Sequence, residues 1–385
     1  MTFHRRSPSL FAVVLTVLTA CSPTDAGQEP DVKIAYFQDL SVPASLDLVS
    51  PSFLALDTVM QRVVVDSEGL VVEAVQLDTG GDVATAVEMA REVAADPAFV
   101  LAVIAPFWQE PPEVAHILAE AGVPTISLSP ESASPWRSVT APPGDPSELW
   151  RRFVPDRDTE AALLAGIVGL GQPGDATQSV CLLTDGSDHG SALVAGIADR
   201  LGARPSTIID GGDAIAAVGE VASSDCGVVV WGGFPLGAQA FAEAMAEHDS
   251  ASGSPIDLAG GAMKAIVPQL NAGGNAAVVA SVSCACADVS LELDLASRQF
   301  VNAYQSEHGL APGVYAVEAW DAGHMVADAL TSGDTTREEM RATFRALTAY
   351  RGIARRYEFD EAGELIGAHG GLFMAAGTRW LPVPD

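Results

Sequence analysis

The chain has 385 residues and a formal net charge of −30, with 48% hydrophobic and 18% charged residues. A surface this acidic repels nucleic acid and anionic lipid headgroups, so we expect no nucleic-acid partner. The length exceeds the size at which one hydrophobic core keeps growing, so it predicts two folded lobes rather than one.

The amino terminus has the pattern of an export signal. Arg5 and Arg6 precede the apolar run at 10–18, which is too short to favour a membrane span. The sequence L-T-A-C follows at 18–21 and resembles a bacterial lipobox, where the signal peptide is cut before a cysteine that receives lipid. We therefore expect a signal peptide at 1–20.

Cys21 is then the predicted lipidation site. Residues 21–30 are small, polar and proline-bearing, which suits a flexible tether between the lipid and a folded body. The alternative is an ordinary secretory signal with a chance cysteine near the cut. On the first interpretation the protein is exported, and the lipid is its only membrane anchor.

Strands and helices are predicted to alternate along the rest of the chain. In chain order, strands are expected at 32–37, 71–77, 100–104, 125–128, 179–184, 206–209, 227–231 and 276–282. Helices are expected at 52–65, 82–95, 113–121, 158–170, 190–201, 237–247, 293–308, 317–331 and 336–347. Repeated βα units of this kind predict parallel sheets covered by helices on both faces.

Four cysteines remain after the lipidation site, in a compartment that permits disulfides. Three full pairings are possible, and the sequence does not decide among them. A bridge between Cys181 and Cys226 is favoured because each opens a predicted core strand of the same lobe. Cys284 and Cys286 are too close for an unstrained bridge in extended chain. With no C-x-x-C pair or histidine cluster nearby, we expect no metal site.

Several longer segments resemble one family. They are VVEAVQLDTGGDVATAVEMAREVAADPAFVLAVIAP at 71–106, AGVPTISLSPESASP at 121–135, WRRFVPDRDTEAALLAG at 150–166, CLLTDGSDHGSALVAGI at 181–197 and YRGIARRYEFDEAGEL at 350–365. Each motif is short, but their order and spacing resemble those of the type I periplasmic binding proteins, specifically the branched-chain amino-acid receptors of ABC importers.

The resemblance implies an α/β fold of two Rossmann-like lobes with parallel sheets, joined by three crossovers near Val154, Ser283 and Gly352. The ligand is then expected in the cleft between the lobes, beyond the carboxyl ends of the strands. The implied division is 31–154 plus 284–351 for lobe 1, and 155–283 plus 352–385 for lobe 2.

The residues expected to bind an amino acid in this family are altered here. The turn after Pro106 reads F-W-Q-E-P-P at 107–112, without the serines that would hold a ligand carboxylate. The family's Y-G tyrosine is His189, and the segment at 260–264 contains no carboxylate for a ligand ammonium. Because a buried unpaired charge is costly, we expect the ligand not to be a standard branched-chain amino acid.

The groups that replace these contacts are largely aromatic, which favours flat or apolar ligands. For Trp108 and Trp231 the alternative is plain core packing. The candidate ligand-binding residues are Phe107, Trp108, Gln109, Ser127, Ser129, Ser132, His189, Trp231 and Phe234.

No enzymatic activity or cofactor is expected. The adjacent Ser187, Asp188 and His189 cannot face one another as a catalytic triad requires, and the glycine pairs lack nucleotide-binding spacing. The sequence therefore predicts a monomeric, lipid-anchored receptor that delivers a small organic ligand to an ABC permease. The alternative is a ligand-sensing or protein-binding envelope lipoprotein on the same fold without a transport role.

Overall fold

The computed structural model describes residues 29–41, 45–66, 69–106, 108, 111–130, 135–137, 141–170, 179–204, 206–224, 226–252, 257–261, 280–284, 286–287, 289, 294–367, 371–376 and 379–382. The predicted signal peptide, Cys21 and most of the predicted tether lie outside the described residues. So do three candidate ligand-binding residues, Phe107, Gln109 and Ser132.

Strands and helices alternate along most of the described chain. The strands are β1 Val32–Gln38, β2 Val72–Asp78, β3 Phe99–Ile104, β4 Thr125–Ser127, β5 Trp150–Arg152, β6 Ser179–Thr184, β7 Ser206–Asp210, β8 Cys226–Gly232, β9 Asp257–Gly261, β10 Ala280–Cys284, β11 Ala349–Arg351, β12 Arg356–Glu358, β13 Gly371–Ala376 and β14 Arg379–Pro382. The helices are α1 Ser45–Asp66, α2 Val83–Ala95, α3 Pro112–Glu120, α4 Pro146–Leu149, α5 Arg157–Leu170, α6 Asp188–Leu201, α7 Ala214–Ser223, α8 Pro235–Ser252, α9 Leu295–His308, α10 Ala316–Thr331 and α11 Arg337–Ala346.

The first sheet has five parallel strands in the order β2-β1-β3-β4-β5. Side chains of β1 alternate between its two faces, as strand geometry requires. Ile34 and Tyr36 join the core under α1 and α10, while Ala35 and Phe37 join the core under α2 and α3. The predicted parallel sheet with helices on both faces is confirmed for this half of the molecule.

The second sheet has seven strands in the order β14-β13-β10-β9-β8-β6-β7. Strands β6 to β10 pair in parallel, whereas β13 is antiparallel to β10 and β14 is antiparallel to β13. Antiparallel strands can be joined by a short connection, and β13 and β14 are two residues apart in the sequence. No helix within the described part of the chain has the length and apolar character needed to cross a membrane.

A disulfide joins the second sheet internally. Cys181 of β6 is bonded to Cys226 of β8, with Cα atoms 5.7 Å apart, and the two strands are direct neighbours. The favoured pairing is therefore confirmed. Cys286 is also disulfide-bonded.

The predicted elements are confirmed for the strongly patterned segments, but some were missed. The strand predicted at 276–282 overlaps β10, whereas β9 lies earlier in the chain and was not predicted. Helix α7 and the hairpin of β13 and β14 were not predicted. Strand β9 reads DLAGG, a short run without β-branched residues, so its sequence carries little strand signal.

The chain passes between the two sheets at points that the packing identifies. Phe153 belongs to the first core and Val154 to the second, and we propose that the first crossover lies here. Tyr357 and Phe359 still lie in the first core, beyond Gly352, while β13 belongs to the second sheet. We therefore propose that lobe 1 extends past residue 352 and that lobe 2 resumes with β13.

Candidate ligand-binding cleft

Each sheet has one point where the strand order reverses along the chain. In the first sheet this point lies between β1 and β3, whose following helices α1 and α3 pack on opposite faces. In the second sheet it lies between β6 and β8. Ligands of open α/β sheets bind beyond the carboxyl ends of strands at such points, so the residues at and after the ends of these four strands form the candidate site. We call the carboxyl ends of β1 and β3 the first edge, and those of β6 and β8 the second edge.

Gln38 ends β1 at the first of these edges. Its backbone oxygen accepts hydrogen bonds from Thr79 N at 2.8 Å and Thr79 Oγ1 at 2.9 Å. Its side chain is wholly buried, yet neither the amide nitrogen nor the amide oxygen has a hydrogen-bond partner. Gln38 was not among the predicted site residues, and the signal in the sequence was a polar residue at the end of the largely apolar strand VKIAYFQ.

Trp108 follows β3 but lies in the core beneath α2 and α3. Its side chain is 6% exposed, and its ring stacks on Phe37 with centroids 5.9 Å apart. Its backbone oxygen accepts a hydrogen bond from Ser129 Oγ at 2.9 Å. The structure thus assigns the Trp108 ring to packing, which was the alternative that the sequence left open.

Ser127, at the end of β4, and Ser129, just after it, belong to a buried polar network. Arg152 donates through Nη1 to Ser127 Oγ at 3.4 Å and to the backbone oxygen of Ser129. The same guanidinium donates through Nε to Glu364 Oε2 at 2.6 Å, and Trp150 Nε1 donates to Glu364 Oε1 at 2.7 Å. These two serines therefore brace the turn after β4 through internal contacts.

Asp185 holds the ends of β6 and β8 together at the second edge. Its Oδ1 accepts from Ser187 N at 3.1 Å and from Ser187 Oγ at 2.5 Å, and its Oδ2 accepts from Phe234 N at 2.7 Å. A Cβ at Gly190 would collide with this carboxylate and would lie 2.7 Å from Gly232 O. The glycine that follows His189 is therefore required for the close approach of α6 to β8.

His189 lies in the first turn of α6, which Ser187 caps by accepting from Gly190 N at 2.9 Å. The imidazole is 2% exposed and packs on the Phe234 ring with centroids 5.4 Å apart. Burial, with the positive charge of Arg157, lowers the pKa of His189 to about 4, so the ring is neutral near pH 7. Its Nδ1 is buried without a hydrogen-bond partner.

Trp231 lies behind this edge, inside the second core. Its ring is wholly buried and stacks on Phe241 with centroids 5.9 Å apart, and its Nε1 donates to Phe234 O at 3.2 Å. A Cβ at Gly211 would approach within 2.7 Å of the indole ring. The structure therefore places Trp231 as a support for the Phe234 segment, in agreement with the packing alternative.

A model of the periplasmic binding protein family matches residues 31–372. The chain belongs to the periplasmic binding protein family. The resemblance drawn from the sequence motifs is thereby confirmed, and membership implies that this binding protein works outside the cytoplasm. The family and its solved structures are substrate-binding proteins of transport rather than enzymes.

Solved structures of the same fold cover nearly all of this binding protein. A leucine-binding protein from Thermotoga maritima is 17% identical, with a TM-score of 0.69 over 92% of this chain and 98% of that one. A solute-binding protein from R. palustris, in complex with benzoate, is 17% identical, with a TM-score of 0.67 over 91% and 95%. A fatty acid ABC transporter substrate-binding protein from Thermomonospora curvata is 16% identical, with a TM-score of 0.70 over 92% of each chain. No curated protein sequence matches the chain.

In this binding protein the structure brings two predicted site residues together at the second edge, His189 and Phe234. Ser187 bonds Asp185 and caps α6, so its hydroxyl serves the turn rather than a triad. Among the residues that the structure describes, no group of three or more His, Cys, Asp or Glu side chains is placed to hold a metal ion. His189 and Phe234 together offer stacking and neutral hydrogen bonding.

Proposed function

We propose that this protein is a lipid-anchored extracytoplasmic receptor that binds a small organic ligand other than a standard branched-chain amino acid and delivers it to an ABC importer. The observation that carries the proposal is the contact between His189 and Phe234 at the second edge. There a buried imidazole with an unpartnered Nδ1 packs on Phe234. Such a surface favours a flat or apolar ligand with one polar group within reach of His189.

The contacts of Asp185 argue against a ligand ammonium at this edge. Its two oxygens already accept three hydrogen bonds, two from Ser187 and one from Phe234 N. These donors hold the ends of β6 and β8 together and leave one further acceptor site, on Oδ2, for a ligand ammonium. Because a desolvated ammonium needs its three hydrogen bonds satisfied as well as a counter-charge, this supports a ligand other than a zwitterionic amino acid.

Proteins of the same fold support an aromatic or apolar ligand. One similar structure is a complex with benzoate, and another belongs to a fatty acid transporter. The fold thus accommodates ligands other than amino acids, and we propose that this chain binds such a ligand.

The anchor and the transporter complete the proposal. The lipobox-like sequence supports lipidation at Cys21, which would keep the receptor close to a membrane permease. The alternative is a ligand-sensing or protein-binding envelope lipoprotein without a transport role, favoured by the loss of the family's amino-acid contacts at 107–112. Permease and ATPase genes beside this gene would favour uptake, and envelope or signalling genes would favour the alternative.

The decisive experiment is native mass spectrometry of protein purified without denaturation, followed by calorimetry with aromatic, aliphatic and amino-acid ligands. We expect binding of an aromatic or apolar compound that weakens at least tenfold in His189→Ala. The exposed His116→Ala serves as the matched control, because its side chain is 47% exposed on α3. Tight binding of leucine or isoleucine, or no binding by folded protein across the panel, would overturn the proposal. Loss of a metabolic fatty-acid label in Cys21→Ser tests the anchor separately.

A further inference from the structure

The carboxamide of Gln38 is the most unusual polar group in the described part of the first lobe. Its side chain is wholly buried, and both its nitrogen and its oxygen lack hydrogen-bond partners. A glutamine amide offers two donors and an acceptor, and buried polar groups of this kind are paired in the great majority of cases. Leaving both atoms unpaired is costly to folding, so a binding partner is the natural explanation.

The position of Gln38 points to the cleft. It is the last residue of β1 and pairs in register with Asp78, the last residue of β2, at the edge where the strand order reverses. Side-chain alternation puts it on the same face as Tyr36, whose hydroxyl lies 2.6 Å from Ser52 Oγ of α1. Gln38 therefore lies one step beyond the apolar core of that face, toward the beginning of α1.

The backbone around this amide is held in place by hydrogen bonds. Thr79 donates twice to the Gln38 carbonyl, through N at 2.8 Å and Oγ1 at 2.9 Å. Asp78 Oδ1 accepts from Leu40 N at 2.9 Å and from Gly80 N at 3.0 Å, which links the turns after β1 and β2. The side chain thus projects from a preorganised base, which lowers the entropy cost of using it for binding.

Charge at the same edge argues against an anionic ligand group. The carboxylates of Asp39 and Asp78 flank the end of β1, where their charges repel a ligand carboxylate. A neutral group that both accepts and donates matches the two open atoms of Gln38 without that repulsion. Carboxamides, lactams and ureido groups each carry a hydrogen-bond donor and acceptor side by side.

We propose that the Gln38 carboxamide forms hydrogen bonds with a neutral ligand group that carries both a donor and an acceptor. The receptor would then select a compound with an amide-type group. This proposal rests on the proposed function, since it assumes that the cleft holds a small organic ligand. The proposed ligand class, aromatic or apolar compounds, is thereby restricted to uncharged compounds with an amide-type polar end.

The test uses matched probes that differ only in this polar end: benzamide against benzoate, and nicotinamide against nicotinate. Binding to wild-type protein is measured by saturation-transfer NMR and calorimetry. We expect the amides to bind in preference to the acids. We expect Gln38→Met to weaken amide binding about 10- to 100-fold, the equivalent of losing two neutral hydrogen bonds. The exposed Gln76→Met on β2 is the control, and it should bind as the wild type does.

Thermal unfolding of the ligand-free proteins separates recognition from a structural role. Met keeps the length of Gln38 and removes the unpaired amide, so Gln38→Met should raise the melting temperature by about 2–4 °C. A structural glutamine bonded to an ordered water would give a lower melting temperature instead, and that result would overturn the proposal. Equal or absent binding of amides and acids would overturn it as well. If native mass spectrometry still finds a bound compound in that case, the proposed receptor function stands and only the amide selection fails.

Discussion

The buried ion pair between Arg152 and Glu364 gives a sharp test of how the first lobe is held together. The two side chains are 1% and 5% exposed and lie 2.6 Å apart between Nε and Oε2. Glu364 also accepts from Trp150 Nε1 at 2.7 Å. Glu364→Gln keeps the volume of the side chain, so it creates no cavity. It removes the negative charge that Glu364 places against the buried guanidinium, and breaking a buried pair in this way costs about 3–5 kcal/mol.

A second pair on the same lobe is the matched control. Arg356 Nε lies 2.8 Å from Glu358 Oε1, but these side chains are 71% and 51% exposed. Surface pairs of this kind contribute about 0–1 kcal/mol, so Glu358→Gln should change the free energy of unfolding very little. The two variants share the same substitution and the same partner type at similar contact distances, and the two pairs differ in burial.

Urea unfolding of both variants gives the free energies, and hydrogen exchange with mass spectrometry shows which sheet is affected. In Glu364→Gln we expect faster exchange at 125–130, because Arg152 also donates to Ser127 Oγ and to the Ser129 carbonyl. The second sheet should exchange as in the wild type. If Glu364→Gln costs no more than Glu358→Gln, the reasoning that this buried pair stabilises the lobe is refuted.

Three further predictions concern the rest of the molecule. Gly190→Ala should lower the free energy of unfolding, measured in urea, by about 1–3 kcal/mol, because the added Cβ would collide with the Asp185 carboxylate. An unchanged urea midpoint would refute the explanation that α6 needs a glycine to approach β8. Burial raises the pKa of Asp321 from 3.8 to about 6, so its contribution to stability is complete below pH 3.8 and is lost as pH rises through 6. The stability of wild type relative to Asp321→Asn should therefore fall by about 3 kcal/mol across that range, and a flat difference would contradict the shift. Cys181→Ala combined with Cys226→Ala should cost about 2–4 kcal/mol, since the bridge closes a separation of 45 residues; a double variant as stable as wild type would contradict this.

The sequence predicted the parts of the fold that local patterns determine. Apolar runs and helical spacing predicted most strands and helices of both sheets, because each pattern reports which face of its own element is buried. The Cys181–Cys226 bridge followed from the expectation that both residues open strands of one lobe. His189 was predicted as a site residue from its place in the Y-G motif, and the structure has it in the first turn of α6.

The rest depended on contacts between residues far apart in the chain. Ser127 and Ser129 looked available for a ligand, but Arg152 engages both, and it is paired with Glu364 at a separation of 212 residues. The sequence around the two serines does not indicate that the Arg152 side chain is directed toward them. The role of Trp231, ligand contact or core packing, could not be decided from the sequence either. The glycines that leave room for its ring, Gly211 and Gly237, come from different parts of the chain.

Gln38 shows why the candidate site could be only partly predicted. A glutamine that ends an apolar strand resembles any strand terminus, and its complete burial without a partner is visible only in three dimensions. Together with the neutral His189 on the other sheet, it gives each edge a buried polar group that carries no charge near pH 7. In a chain with a net charge of −30, such groups avoid both repulsion of an anion and the cost of burying an unpaired charge. The neutrality of these two side chains supports our proposal that the ligand is not a zwitterionic amino acid, which needs two opposite charges matched.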